Sequence, residues 1–270
     1  MRKLRVNDYD MAYLDVGGGV PLVCVHGSLC DFRVWSPIIG LLSPHARVIV
    51  PSLRHYFPEH WDGEGDDFGV AQHVADVIGF IERLGMGAVN LIGHSRGGYV
   101  AFRVARERPD ILARLVLAEP AGYLDPSLST LAMPTSLFRS ALADAAAMVK
   151  AGNIDAGLAA FFDAIDGAGA WQRLDEAMRQ ELRDNATTLI GQMRDGLLPF
   201  TRADAEGLRV PTLFIGGAQS QPASLLVLRA LATHVPGAST VVIPEAGHAM
   251  FVHRPQAFSA AVVEHIGRSP

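Results

Sequence analysis

Cysteine is scarce in this 270-residue chain, which has only Cys24 and Cys30. Two thiols are too few for a disulfide framework, and neither has Cys or His neighbours at zinc-ligand spacing. Cys24, inside an apolar run, reads as a small buried hydrophobe. Basic runs are also missing. Lys and Arg are scattered and the formal net charge is -5, so no stretch would track a phosphate backbone and no nucleic-acid partner is expected. No apolar stretch approaches membrane-spanning length, and Met1 to Asp8 has basic residues without an apolar segment behind them. A soluble, cytoplasmic chain with no membrane partner is the expectation. There is no internal repeat and no low-complexity segment. What the chain has in quantity is apolar residues, 49% hydrophobic against 19% charged, enough for a large buried core. The length suits one α/β core carrying an insertion.

Taken in order, Leu4 to Val6 and Met11 to Val16 read as short strands. Gly17-Gly18-Gly19 is a turn rather than a dinucleotide fingerprint. Pro21 to Val25 is continuously apolar, as in a strand buried on both faces of a parallel sheet, and runs into His26-Gly27-Ser28-Leu29. Trp35 to Leu42 is a helix candidate and Ala46 to Val50 a buried strand. Phe57 to Phe68, rich in Pro, Gly, Asp and Glu, is a loop. Val70 to Leu84 spaces its apolar residues as a helix and stops near Gly85. A β-prone run ends in Gly93-His94-Ser95-Arg96-Gly97, and a helix-like segment follows from Tyr99 to Glu107. Leu112 to Ala118 is another strand, ending at Glu119-Pro120. From about Gly122 to Leu208 the chain is Ala-rich and helical, with breaks at Pro134, Gly152, Gly167-Ala168-Gly169 and Pro199. Strands return at Pro211 to Gly216 and Thr240 to Pro244, separated by a helix from Ser224 to Thr233, and a last helix spans Pro255 to Ile266. The expected layout is an α/β fold, a mostly parallel sheet with flanking helices. Residues 1–121 and 209–270 form its core, and the 122–208 insertion is a helical cap over the ligand crevice.

The strand, tight turn and helix around Ser95 carry the G-x-S-x-G pattern in the context that the pattern requires. A serine hydroxyl is a poor nucleophile until a base takes its proton, and the base needs an orienting acid. His248 lies in Gly247-His248, just after the final strand, and is the candidate base among ten histidines. His26 and His94 read as structural hydrogen-bonding groups. His45, His55, His60, His73, His234, His253 and His265 are expected at the surface or in the insertion.

His26-Gly27, Gly93-His94-Ser95-Arg96-Gly97, Gly247-His248 and the cap position together resemble the α/β-hydrolase family over nearly the whole chain. That resemblance implies an eight-stranded α/β-hydrolase sheet, a nucleophile at Ser95 and a base at His248. It also implies an oxyanion hole from the backbone N–H groups of Ser28 and Arg96, with Leu29 as an alternative first donor. Many relatives carry the acid in the loop that here reads Gly216-Gly217-Ala218-Gln219-Ser220-Gln221-Pro222, which has no Asp or Glu. Glu119, 24 positions beyond Ser95, occupies the other family location, shared with some haloalkane dehalogenases and zearalenone-type lactonases. It is the expected acid, with Asp204, Glu206 and Glu245 as fallbacks, and the Ala218 to Pro222 loop is expected to be free for substrate or packing. Glu119-Pro120, Gly169-Ala170-Trp171-Gln172 and the acid-free loop resemble the zearalenone lactonase group, while Arg96 and Gly97-Gly98 depart from it. Of the family's Asp-x-Arg-Gly-x-Gly-x-Ser turn only Arg54 is retained.

Substrate-facing candidates are Trp171, Phe161, Phe162 and Tyr123 in the cap, Phe32 and Trp35 near the oxyanion strand, and Asn185 as a polar contact. The resulting expectation is a cofactor-free and metal-free serine hydrolase of a small carboxylic ester or lactone, working as a monomer or homodimer. A cofactor-independent dioxygenase using the His248-Glu119 pair and a non-catalytic ligand binder are the alternatives.

Overall fold

The computed structural model describes residues 1–129 and 135–267. Its strands are β1 (Arg2–Val6), β2 (Tyr9–Val16), β3 (Pro21–Val25), β4 (Arg47–Pro51), β5 (Val89–His94), β6 (Leu112–Ala118), β7 (Thr212–Gly217) and β8 (Ser239–Ile243). They make one eight-stranded sheet in the order β1-β2-β4-β3-β5-β6-β7-β8. The pairs β1/β2 and β2/β4 are antiparallel and the rest parallel. The core helices are α1 (Ser36–Leu42), α2 (Val70–Leu84) and α3 (Arg96–Glu107) before the insertion. Within it lie α4 (Thr135–Lys150), α5 (Ile154–Asp166), α6 (Ala170–Arg173), α7 (Glu176–Asp184), α8 (Thr188–Arg194) and α9 (Arg202–Glu206). Last come α10 (Pro222–His234), α11 (Met250–His253) and α12 (Pro255–Gly267).

The apolar runs are unbroken because both faces of the sheet are covered, yet their side chains still alternate. Val23, Val25, Leu91, Leu115 and Leu117 enter the core built with α2, α3 and α10. Leu22, Cys24, Ile92, Val116 and Ala118 enter the core on the other face, with α1, α11 and α12. Full burial of a Val, Leu, Ile or Phe side chain stabilises by about 1.5–3 kcal/mol. This two-sided packing is what fixes the strand ends that carry the site. The α2 helix buries Val70, Val74, Val77 and Ile81 and ends at Gly85, whose φ of 64° is the left-handed cap that only glycine adopts freely.

The insertion leaves after β6 and returns before β7. Breaks fall at Gly152 and Gly167 to Gly169 as their composition implies; the break expected at Pro134 lies outside the described residues. Its entering and leaving segments are clasped. Leu124 bridges Phe200 in parallel, with the Phe200 N–H on the Tyr123 carbonyl (2.8 Å) and the Asp125 N–H on the Phe200 carbonyl (3.0 Å). Among the described residues no helix is long and apolar enough to cross a membrane.

Candidate active site

Strand β5 stops at Ser95, whose backbone takes φ 51° and ψ -121°. Left-handed backbone costs a residue with a Cβ roughly 1–2 kcal/mol, and bonds on both sides of the turn hold it there. The Ser95 N–H donates to the Ala118 carbonyl (3.0 Å), while the Ser95 carbonyl accepts from the N–H groups of Ala121 (2.9 Å) and Tyr99 (3.0 Å). The nearby glycines answer a demand for close approach. A Cβ on Gly97 would lie 2.2 Å from the His26 carbonyl oxygen, and one on Gly93 would lie 2.3 Å from that of Gly97. Glycine at those two positions lets β5, α3 and the His26 loop press together.

Glu119 follows β6 at φ 41°, its N–H on the Ile215 carbonyl (3.0 Å). Its buried carboxylate has both oxygens engaged. Oε2 accepts from His248 Nδ1 (2.7 Å), and Oε1 accepts from the Gly217 N–H (2.7 Å) and the Ser220 hydroxyl (2.5 Å). The acid-free loop after β7 is therefore not idle. It supplies the donors that clamp a carboxylate carried by the neighbouring strand, which corrects the expectation that Ala218 to Pro222 is left to substrate or packing. Burial works to lower the His248 pKa, but the hydrogen bond and charge of Glu119, joined by the charge of Asp166, outweigh it and hold the imidazole above its ordinary value. His248 is also anchored to the residue before Ser95. His94 Nε2 donates to the His248 carbonyl (3.0 Å), and the two rings lie 4.6 Å apart.

His26 shapes the loop opposite. Its Nδ1 donates to the Gly27 carbonyl (2.9 Å) and its Nε2 accepts from the Leu53 N–H (3.0 Å). Burial pushes its pKa down to about 4, so the ring is neutral and structural at pH 7. Because the peptide is planar, the Ser28 N–H points away from that bonded Gly27 carbonyl. A Cβ on Gly27 would meet Ser95 Cβ at 3.1 Å, so the loop runs directly against Ser95. Arg96 is the first residue of α3, where a backbone N–H has no intrahelical acceptor. Its guanidinium is committed elsewhere, to Asp195 at 2.5 Å.

Several expected positions are corrected by packing. Trp35 is fully buried in the core with α1, α11 and α12, 4.6 Å from the Phe251 ring, and so is a core residue rather than a substrate contact. Phe32 joins the same core. Phe161 and Trp171 belong to an apolar cluster of insertion residues that also takes in Leu29, with the partly buried Phe162 against it. The Tyr123 hydroxyl donates to the Leu197 carbonyl and ties the insertion's two stems. Asn185 is spent on structure: Oδ1 accepts from the Phe57 N–H (2.7 Å), and Nδ2 donates to Asp31 Oδ2 (2.8 Å) and the Glu181 carbonyl (2.9 Å). The fallback acids lie elsewhere. Asp204 caps α9 and pairs with Arg103, Glu206 pairs with Arg202, and Glu245 pairs with Arg254. His55, His73 and His265 are buried, contrary to the surface or insertion positions expected for them. His55 is held between Glu59 and Asp67, His73 on the Arg54 carbonyl, and His265 on the Pro211 carbonyl.

One insertion carboxylate had no signal in the sequence. Glu181 is buried against Asp31, Arg33 and Asp184, and burial first, then the Asp31 charge, pushes its pKa up to about 8 against the pull of Arg33. A raised carboxyl pKa stabilises the fold fully below the ordinary value near 4.5, and that stability is lost as pH rises through about 8. Glu181→Gln is thus expected to melt higher than wild type at pH 8 to 9 and close to it at pH 4. Thermal unfolding across that range checks this; an equal gain at both ends would refute it.

Residues 22–261 match the alpha/beta hydrolase family. The fold closely follows an enol-lactonase from Burkholderia xenovorans LB400 (TM-score 0.79, 22% identity, 98% of this chain and 100% of that one). It is also similar to a thermophilic esterase from Thermogutta terrifontis (TM-score 0.76, 25% identity, 98% of this chain and 97% of that one). A soluble epoxide hydrolase from Corynebacterium sp. (strain C12) is 31% identical over 138 residues, 49% of this chain and 46% of that protein. That last match thus spans about half the relative's length. With residues 22–261 matched by the family and the fold shared over nearly the full length of both structures, this protein belongs to the alpha/beta hydrolase family.

Proposed function

We propose that the protein is a serine hydrolase of small carboxylic esters or lactones, working through an acyl-enzyme with Ser95, His248 and Glu119 as its triad. The observation that carries this reading is the bond from His248 Nδ1 to Glu119 Oε2 at 2.7 Å, which commits Nδ1 as donor and leaves Nε2 as the basic nitrogen. In the reaction His248 Nε2 takes the Ser95 proton as Oγ attacks the substrate carbonyl. The negative charge that appears on the carbonyl oxygen is received by the backbone N–H groups of Ser28 and Arg96. The imidazolium, stabilised by Glu119, passes its proton to the departing alcohol oxygen. Water, deprotonated by the same nitrogen, then releases the acid and restores Ser95. A lactone follows the same steps, with the alcohol remaining on the acyl chain.

Neither esterase nor lactonase likeness selects among substrates, since this fold hosts many chemistries. Epoxide opening, the activity named for the Corynebacterium relative, normally requires a carboxylate nucleophile, and position 95 is serine. Cytoplasmic placement is part of the proposal and leans on the low cysteine count. The test is labelling with a fluorophosphonate probe, followed by an ester and lactone panel of graded acyl size. One equivalent of label on Ser95 together with turnover of at least one panel member is expected. Absence of both would defeat the hydrolase reading.

A further inference from the structure

The loop that offers the first oxyanion donor is gripped almost residue by residue from the insertion. The Ser28 hydroxyl donates to Gln192 Oε1 on α8 (2.8 Å). Leu29 is fully buried, and every other buried member of its apolar cluster among the described residues belongs to the insertion, Leu158, Phe161, Trp171, Leu182 and Leu189 included. Asp31, also fully buried, accepts from Asn185 Nδ2 (2.8 Å). Arg33, which chelates Asp31, reaches Asp184 at the end of α7 (2.9 Å).

Two further observations give this grip a purpose. Leu29 holds φ 61°, a left-handed conformation that a residue with a Cβ keeps only where its surroundings enforce it. Here those surroundings are insertion side chains. The Cys30 N–H closes the turn on the Gly27 carbonyl (3.4 Å), so the shape of the Ser28-Leu29 corner is set at Leu29. Gln192, meanwhile, is 6% exposed, and its Nε2 has no hydrogen-bond partner among the described residues. The end of this amide that is engaged, Oε1, is the one that holds the Ser28 hydroxyl.

We propose that the insertion completes the oxyanion hole: Gln192 on Ser28, the apolar cluster around Leu29 and Asn185 on Asp31 hold the donor loop in its anion-accepting shape. Gln192 and Asn185 are then positioning residues, acting through the loop without touching substrate, and seating of the cap and stabilisation of the transition state are one event. This rests on the acyl-enzyme reading above. It also makes the cap matter to substrates too small to reach it.

The test is a double-mutant cycle of Ser28→Ala and Gln192→Met on p-nitrophenyl acetate, with Gln192→Glu as the conservative variant that keeps an acceptor for the Ser28 hydroxyl. Each single variant is expected to lose about 10-fold in kcat with KM little changed, a fraction of what loss of a whole oxyanion donor removes. The double variant should lose no more than either single one, and Gln192→Glu should retain most activity. Affinity for a trifluoromethyl ketone, whose adduct places an oxyanion in the hole, should fall in parallel with kcat. Multiplicative losses, a change confined to KM, or unchanged ketone affinity would overturn the proposal. A readout independent of turnover separates this from failure of the hydrolase reading. Amide hydrogen exchange over residues 26–33 should quicken in Gln192→Met and Asn185→Ala while exchange over 240–250 stays put. An undisturbed 26–33 segment would overturn the positioning role whatever the chemistry, and absence of both fluorophosphonate labelling and ester or lactone turnover in the wild type would defeat the hydrolase reading instead.

Discussion

Ser95→Ala is expected to cut ester turnover by about 10⁶-fold, with the remainder coming from binding and the oxyanion hole alone. The loss is this large because in the proposed reaction the hydroxyl oxygen is the atom that forms the bond; His248 and Glu119 without it have no covalent route to serve. The substitution removes one oxygen and leaves the backbone bonds of the turn, from Ser95 N–H to Ala118 and from Ala121 and Tyr99 to the Ser95 carbonyl, available to alanine. The variant should therefore fold, which circular dichroism and a melting curve verify. Turnover of p-nitrophenyl acetate and fluorophosphonate labelling should both vanish. Full turnover in a folded Ser95→Ala protein would sink the mechanism, and oxygen consumption by that variant on a heteroaromatic substrate would point to base-only chemistry by His248 and Glu119.

Glu119→Gln should be nearly as damaging, by about 10⁴-fold in kcat, for a reason set by the clamp around it. Gly217 N–H and the Ser220 hydroxyl both donate to Oε1. A glutamine must present its oxygen to those donors, which turns its NH2 group toward His248 Nδ1. The imidazole then has to accept at Nδ1 and carry its proton on Nε2, the wrong tautomer for taking a proton from Ser95. The shape of the site is kept and its proton logic reversed. In the wild type the acid limb of kcat/KM should lie above the ordinary histidine value, because the base must be neutral and Glu119 and Asp166 raise its pKa. Whatever activity Glu119→Gln retains should have that limb at lower pH. Asp204→Asn, at the cap of α9, should leave kcat close to wild type. If Asp204→Asn proved the damaging one, the acid would have to be reassigned.

The strands and most core helices were legible because their signals are local. Continuous apolar runs, the 70–84 periodicity and the Gly85 stop each name an element without reference to anything distant. The residues of the proposed triad could be placed for a different reason, since Ser95 and Glu119 directly follow β5 and β6 and His248 lies in the loop after β8, positions in the sheet that follow from order along the chain. What escaped was contact between elements far apart in sequence. Ser220 carries no motif, and its hydroxyl has a role only because β6 and β7 are neighbours. Gln192 and Glu181 are ordinary polar residues on helices, distinguished by facing the 28–33 loop across the fold. Trp35 misled in the opposite sense. Its nearness in sequence to the oxyanion loop suggested substrate contact, but the short helical turn at Phe32–Trp35 delivers it to the far core.

The clasp at the base of the insertion sets a limit on how this architecture can be remodelled. Leu124 and Phe200 run side by side in the same direction. Two segments so arranged cannot be joined by a tight hairpin; a parallel pair needs a crossover of about a dozen residues or more. Any shortened version that keeps this neck must still carry at least a helix's worth of chain between its two stems. Designers and natural variation alike can swap the helices between the stems, but neither can reduce them to a turn without first undoing the neck.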